Sequence, residues 1–299
     1  MFDATIPTLS LSIGPGSQSE GDMVLDYMKM PSEMNTYDVP ILPEAHEMAS
    51  CPHAMSVLNT LQAMLERYRV GQNTEVLPLN EMPDADLDML NQILGEGEVS
   101  VLLVLGKQRQ IRIQETVMAG VWRLREVLSD QTVRESLEVA DIPVAVRQFA
   151  FIAADKAIDL STIPKSVLNA PSVLVELAEA SASYSRKKTT DLLVSEANDY
   201  PVVNLTLLPF SPEDHTVLNE QLGMGSVTML SRGYGNCRIT STQIPGIWRV
   251  QYFNSTDNLI LDTLEVIDIP LVACAAQEDV EDSAERLNEI REVFLEQSA

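Results

Sequence analysis

The chain has 299 residues, with 44 Asp and Glu against 20 Lys and Arg, a formal net charge of -24 and a pI near 4.3. A phosphate backbone or an anionic membrane surface would be repelled by such a charge, and 5% aromatic content is thin for a base-stacking platform, so no nucleic acid and no membrane insertion are expected. Three cysteines cannot build a disulfide framework and suit a reducing compartment.

Residues 1–50 carry Pro7, Pro15, Pro31, Pro40 and Pro43 without apolar periodicity, and read as an extended acidic arm. Lys29 is the only base there against eight acids, which is not the pattern of a secretory leader, and a cytoplasmic location is expected. Met23, Met28, Met30 and Met34 give the arm flexible thioethers, suited either to an adaptable binding strip or to a latch on its own domain. In residues 51–75, Val57, Leu58, Leu61, Met64, Leu65 and Tyr68 share one helical face.

The rest of the chain repeats itself. LNQILGEG at 90–97 returns as LNEQLGMG at 218–225, GVWRL at 120–124 as GIWRV at 246–250, and LEVADIP at 137–143 as LEVIDIP at 264–270. The expected architecture is α+β: a tandem duplication of an antiparallel-sheet module with packed helices, over 76–163 and 204–299, joined by a helical linker at 164–203 broken near Pro171. The linker ends in the basic cluster Arg186, Lys187, Lys188. In the second copy the expected strands are 204–208, 226–231, 237–244, 246–253 and 259–267, with a helix opened by Pro212, Glu213 and Asp214. An acidic C-terminal helix with the apolar stripe Val280, Leu287, Ile290 and Phe294 closes the second copy.

Within that copy LSRGYGNCRI, GIWRVQYFNS and LILDTLEVIDIPLVACAAQEDVEDSAERL together resemble the C-terminal conserved region of the HupH/HyaF family of hydrogenase expression proteins, densely over 205–290. The first copy and the arm, including MPSEMNTYDVPILPE, look like the rest of that family. The resemblance implies a cytoplasmic accessory protein for nickel-iron hydrogenase maturation, a chaperone for an immature subunit, above all the iron-sulfur small subunit, before assembly and export. A carrier that delivers iron or a cofactor is the alternative.

The residues themselves agree with a protein that is not an enzyme. P-loop, dinucleotide and HExxH patterns are missing, and His46, His53 and His215 are the only histidines. No cofactor is expected. Cys237 aligns with Ile111 of the first copy, so a core cysteine is the plainer reading, while Cys274 aligns with Arg147, an exposed residue type, and is the better candidate for a functional thiol. Cys51 lies near Glu44, His46 and His53, in a spacing that matches no zinc pattern.

Residues shared by both copies, such as Trp122 and Trp248, read as scaffold. Partner-binding candidates come from what the second copy alone holds: Arg232, Gly233, Tyr234, Gly235, Asn236 and Arg238 at the Gly turn, Gln251, Tyr252, Phe253 and Asn254 at the next hairpin, and Gln277, Glu278 and Asp279 at the start of the last helix. They are expected to border one patch, and a capped helix with a well-bonded turn would explain the same residues. The acidic surface would complement a basic client segment such as a twin-arginine export signal.

Overall fold

A computed structural model describes residues 43, 45–72, 74–106, 109–152, 154, 156–190, 201–232 and 235–297. In chain order the elements are α1 (Ala45–Met48), α2 (Pro52–Arg67), β1 (Glu75–Pro78), α3 (Asp84–Leu94), β2 (Val99–Leu105), β3 (Arg109–Glu115), β4 (Val121–Val127), β5 (Val133–Val139) and α4 (Val144–Phe149). They continue with α5 (Ala170–Thr190), β6 (Val202–Asn204), α6 (Pro212–Leu222), β7 (Val227–Ser231), β8 (Asn236–Ser241), β9 (Ile247–Phe253), β10 (Leu259–Val266) and α7 (Gln277–Gln297).

All ten strands form one antiparallel sheet in the order β1-β5-β4-β3-β2-β7-β8-β9-β10-β6. Read from either edge, the order of elements is the same. The halves join at the centre, where β2 and β7 pair with Val101 opposite Met229. Side chains alternate across each strand. Val101, Leu103, Ile111, Ile113, Met229, Ile239, Trp122 and Trp248 face one side and form a central core with Ile142, Val146 and Ile269. On the other side α2, α3 and α7 cover Val121, Leu137 and Val139, and α5 and α6 cover Ile247, Leu264 and Val266.

Corresponding residues perform the same structural work in each half. Asp86 of α3 accepts the Ala54 N–H at the start of α2 (2.8 Å), and Asp214 of α6 accepts Asn169 and Ala170 N–H at the start of α5 (both 2.9 Å). These carboxylates satisfy helix donors that have no partner within their own helix. Ser211 and Asp214 add a capping box to α6. Trp122 donates its indole N–H to Ala140 O, and Trp248 donates to Asp268 O. Gly97 and Gly225 pass so close to the next strand that a Cβ would lie 2.2 Å from Thr116 O or 2.4 Å from Ser241 Oγ.

Several boundaries differ from expectation for local reasons. The strand expected over 204–208 ends at Asn204, whose side chain accepts Thr206 N–H and turns the chain into a 3-10 turn, Leu205–Leu207. The strand expected to reach Ile244 ends at Ser241, because the Thr242 hydroxyl bonds Ile244. Pro171 does not break a helix; it sits in the first turn of α5, where its missing N–H costs nothing. Rather than a link between halves, α5 packs Leu174, Leu177 and Tyr184 into the second half's core. Helix α7 crosses to the first half: Leu287 and Phe294 join the core of α2, and Gln62 Nε2 donates to Ala284 O at 3.1 Å. Among the described residues, no helix is long and apolar enough to cross a membrane.

Candidate partner-binding surface

The start of β8 lies beside the β9–β10 turn at one end of the sheet, because Asn236 pairs with Phe253. Asn236 Nδ2 donates to Asp257 Oδ1 at 3.2 Å, bridging the two. Gly235 has φ +105°, a conformation that leaves glycine unstrained. Asn254 Oδ1 accepts the N–H groups of Thr256 and Asn258 at 2.9 Å, so this side chain builds the turn. The Arg232 N–H reaches Glu98 O at 3.1 Å, tying the end of β7 to the first half. Gly233 and Tyr234 lie outside the described residues, as do Met23, Met28, Met30 and Met34 of the arm, Glu44, and the side chains of His46 and Arg186 to Lys188.

Strand alternation separates the remaining candidates. The Arg238 guanidinium stacks over the Phe253 ring, 5.4 Å from its centroid, on the helix side of the sheet. Tyr252 is opposite Cys237 and packs on the central core side. Gln251 is buried beside Asp262, which Arg249 holds through two bonds of 2.9 and 2.5 Å. Gln277 accepts the Val70 N–H at 2.8 Å, and Val280 is packed against Gly120, so Gln277, Glu278 and Asp279 stand over the first half. The candidates therefore divide between two faces and two halves of the sheet and do not form one patch.

Arg238 is also not peculiar to the second half. Arg112 is opposite Leu102 of β2 just as Arg238 is opposite Leu230 of β7, so the two arginines occupy corresponding places. The offset of 126 residues between GVWRL and GIWRV brings them into register, and that was the sequence signal for Arg112.

Cys51 and Cys237 are buried, and Cys274 is half-buried. Cys51 precedes α2 and contacts Ala85 O through its sulfur at 3.6 Å. Burial pushes the Cys237 thiol up to about 11, with the Tyr252 hydroxyl beside it. Burial pushes Cys274 up to about 12, between Asp141, Arg147 and Asp268. A protonated thiol is a poor nucleophile and a poor metal ligand. Among the described residues, no three His, Cys, Asp or Glu side chains gather as a metal site. His53 is exposed, and burial lowers His215, which stacks edge-on against Phe210. Buried Glu115 is raised to about 7 by desolvation, which outweighs backbone hydrogen bonding from Gly120, at 3.4 Å, and Val99, while Glu98 and Asp279 add like charge.

Comparison with known proteins finds that the model of the HupH hydrogenase expression protein C-terminal conserved region matches twice, at residues 52–163 and 167–294. The chain is 55% identical to the hydrogenase expression/formation protein HupQ of Azotobacter chroococcum mcd 1, over 94% of this chain and 95% of that one. It is 41% identical to HupH of Rhodobacter capsulatus (95% and 96%) and 28% identical to the hydrogenase-1 operon protein HyaF of Escherichia coli K12 (93% and 94%). A solved structure of the hydrogenase expression protein HupH from Thiobacillus denitrificans is similar over 40% of this chain and 92% of that one, at 25% identity and a TM-score of 0.35.

Proposed function

Starting from the fact that this chain belongs to the HupH/HyaF family of hydrogenase expression/formation proteins and so serves hydrogenase maturation, we propose that it does so as a cytoplasmic chaperone. Its client is an immature subunit, and the iron-sulfur small subunit of a nickel-iron hydrogenase is the first candidate. It acts by binding and release, with no chemical turnover. The observation that carries this reading is the family match across both halves of the chain. The acidic surface offers a complementary field for a basic segment such as a twin-arginine export signal. Arg232, Tyr234 and Asn236 at the β7–β8 turn are the client contacts proposed for that end of the sheet.

The carrier reading, delivery of iron through cysteine, has less support, because burial holds Cys237 and Cys274 protonated. The deciding experiment is co-purification of the tagged protein with the small-subunit precursor from cells that lack the large subunit. Recovery of the precursor by the wild type, with at least about tenfold weaker recovery by a folded R232A/Y234A variant, is the expected result. No recovery of the precursor would refute the small-subunit assignment.

A further inference from the structure

The middle of the sheet has one face that no described helix covers. Asn91 of α3 accepts from Arg123 of β4, and Asn219 of α6 accepts from Arg249 of β9. The two helices therefore stand over the outer strands. Between them run β3, β2, β7 and β8, whose inward side chains fill the central core. Their opposite side chains form a floor that no described helix covers: half-buried Leu102 and Leu230 at the middle, flanked by Arg112 and half-buried Arg238, with hydroxyl groups from Thr228 and Thr240. Arg112 is exposed, and Val104 at the rim is 48% exposed. Four strands span about 14 Å at the usual strand spacing. A single helix, about 10–12 Å across with its side chains, fills such a gap.

The charge of this floor is opposite to that of the molecule. Four other sheet arginines are neutralised, Arg109 by Glu126, Arg123 and Arg125 by Glu135, and Arg249 by Asp262, while Arg134 is exposed on β5, away from the centre of the sheet. Arg112 and Arg238 form no ion pair among the described residues; Arg112 is opposite Arg125, and Arg238 rests on Phe253. In a chain with 44 acids and 20 bases, the open centre is thus lined by guanidinium groups and two leucines.

We propose that this floor docks an acidic segment of a partner protein, its carboxylates meeting Arg112 and Arg238 and its apolar side chains meeting Leu102 and Leu230. A second copy laid face to face would oppose arginine to arginine. A basic segment would be repelled here and drawn instead to the acidic exterior. A nucleic acid would have to approach against the net charge of -24. The site does not depend on which hydrogenase component is the client.

The test places the photo-crosslinker p-benzoylphenylalanine at Leu102 of the full-length protein in hydrogenase-producing cells and sequences the peptide attached on irradiation. The expected adduct is a segment of another protein with net negative charge around the attachment point, not the acidic residues 1–50 of this chain, and its yield falls about tenfold or more in R112E/R238E. Thermal melting of R112E/R238E should stay close to the wild type, since neither arginine has a carboxylate partner among the described residues and Arg238 gives up only its stacking on Phe253; if it does not, R112Q/R238Q replaces it. A basic or neutral segment, a second copy, a nucleic acid, an adduct indifferent to charge reversal, or no adduct would each overturn the proposal. An acidic, arginine-dependent adduct on a protein other than the small subunit would uphold it while the small-subunit assignment fell.

Discussion

Arg147 of the first half reaches Asp268 of the second at 2.5 Å, and its other terminal nitrogen holds Asp141, the residue corresponding to Asp268, also at 2.5 Å. One guanidinium near the join serves both aspartates. Tyr68 donates to Asp141 at 3.0 Å and Tyr184 to Asp268 at 3.2 Å, completing the same arrangement in each half. The residue that corresponds to Arg147 is Cys274, which lies within the field of Arg147 and both aspartates. A second arginine there would crowd a like charge into the same space. The small, uncharged side chain at 274 follows from that geometry, and its thiol needs no chemical role.

Removing this guanidinium should weaken the join. Arg147→Ala leaves Asp141 buried without a cation, whereas Asp268 keeps access to water, so the loss should be about 2 kcal/mol after allowing for the partial exposure of the arginine. Asp141→Ala should cost more than Asp268→Ala, because the Asp141 side chain is 10% exposed and that of Asp268 40%, while either loss strips one tyrosine hydroxyl, Tyr68 or Tyr184, of its acceptor. Urea denaturation of the three variants measures both quantities, and equal costs for the two aspartates would contradict the asymmetry.

The two helix-capping aspartates should differ in strength. Asp214 accepts from Asn169, Ala170 and Ser211 N–H, and Asp86 from Ala54. Asp214→Ala should therefore destabilise by about 1–3 kcal/mol and exceed Asp86→Ala. Burial alone would raise the Asp214 carboxyl, but the backbone N–H groups of Ala170, Ser211 and Asn169 outweigh it and hold the group well below the ordinary 3.8. Its contribution is complete above that value and fades only as pH falls through the lower folded value. Stability curves of wild type and variant should stay parallel from pH 8 to pH 5 and converge in stronger acid.

Glu115 should act in the opposite sense. Desolvation raises it from 4.5 to about 7, so the folded state binds the extra proton between those values. Stability carried by the protonated form is fully present below about pH 4.5 and is lost as pH rises to 7. Glu115→Gln should stabilise at pH 8 by up to roughly 3 kcal/mol, with the gain vanishing near pH 4.5. Chemical denaturation across pH 4 to 8 tests this; a pH-independent difference would mean that the carboxyl is ordinary.

The thiols should be inert in the folded protein. At pH 8, a group near 11 or 12 has a thiolate fraction about 100 to 1000 times below that of an ordinary thiol near 9. Iodoacetamide should therefore label Cys237 and Cys274 only on unfolding, as read by mass spectrometry. Cys274→Ser should support hydrogenase maturation at wild-type level. A folded Cys274→Ser protein that failed completely would restore the carrier reading.

Much of this protein was legible in its order of residues. The blocks around Trp122 and Trp248 recur in the same order along the chain, and alternation in segments such as Asn236–Ser241 identified strands and their buried faces, since side-chain periodicity is local information. How those faces meet is not local. Nothing in Val99–Leu105 or Val227–Ser231 specifies that these two edges pair with each other, because backbone hydrogen bonding is the same for any strand partner. The apolar stripe of Gln277–Gln297 marks a helix needing cover and is equally compatible with either half; packing on Leu58, Leu61 and Leu65 decided for the first. Only that tertiary choice, together with the seating of Asn91 and Asn219 over the outer strands, left Leu102, Leu230, Arg112 and Arg238 on open sheet. A residue's face can be read along the strand, but whether that face is covered depends on elements far away in the chain.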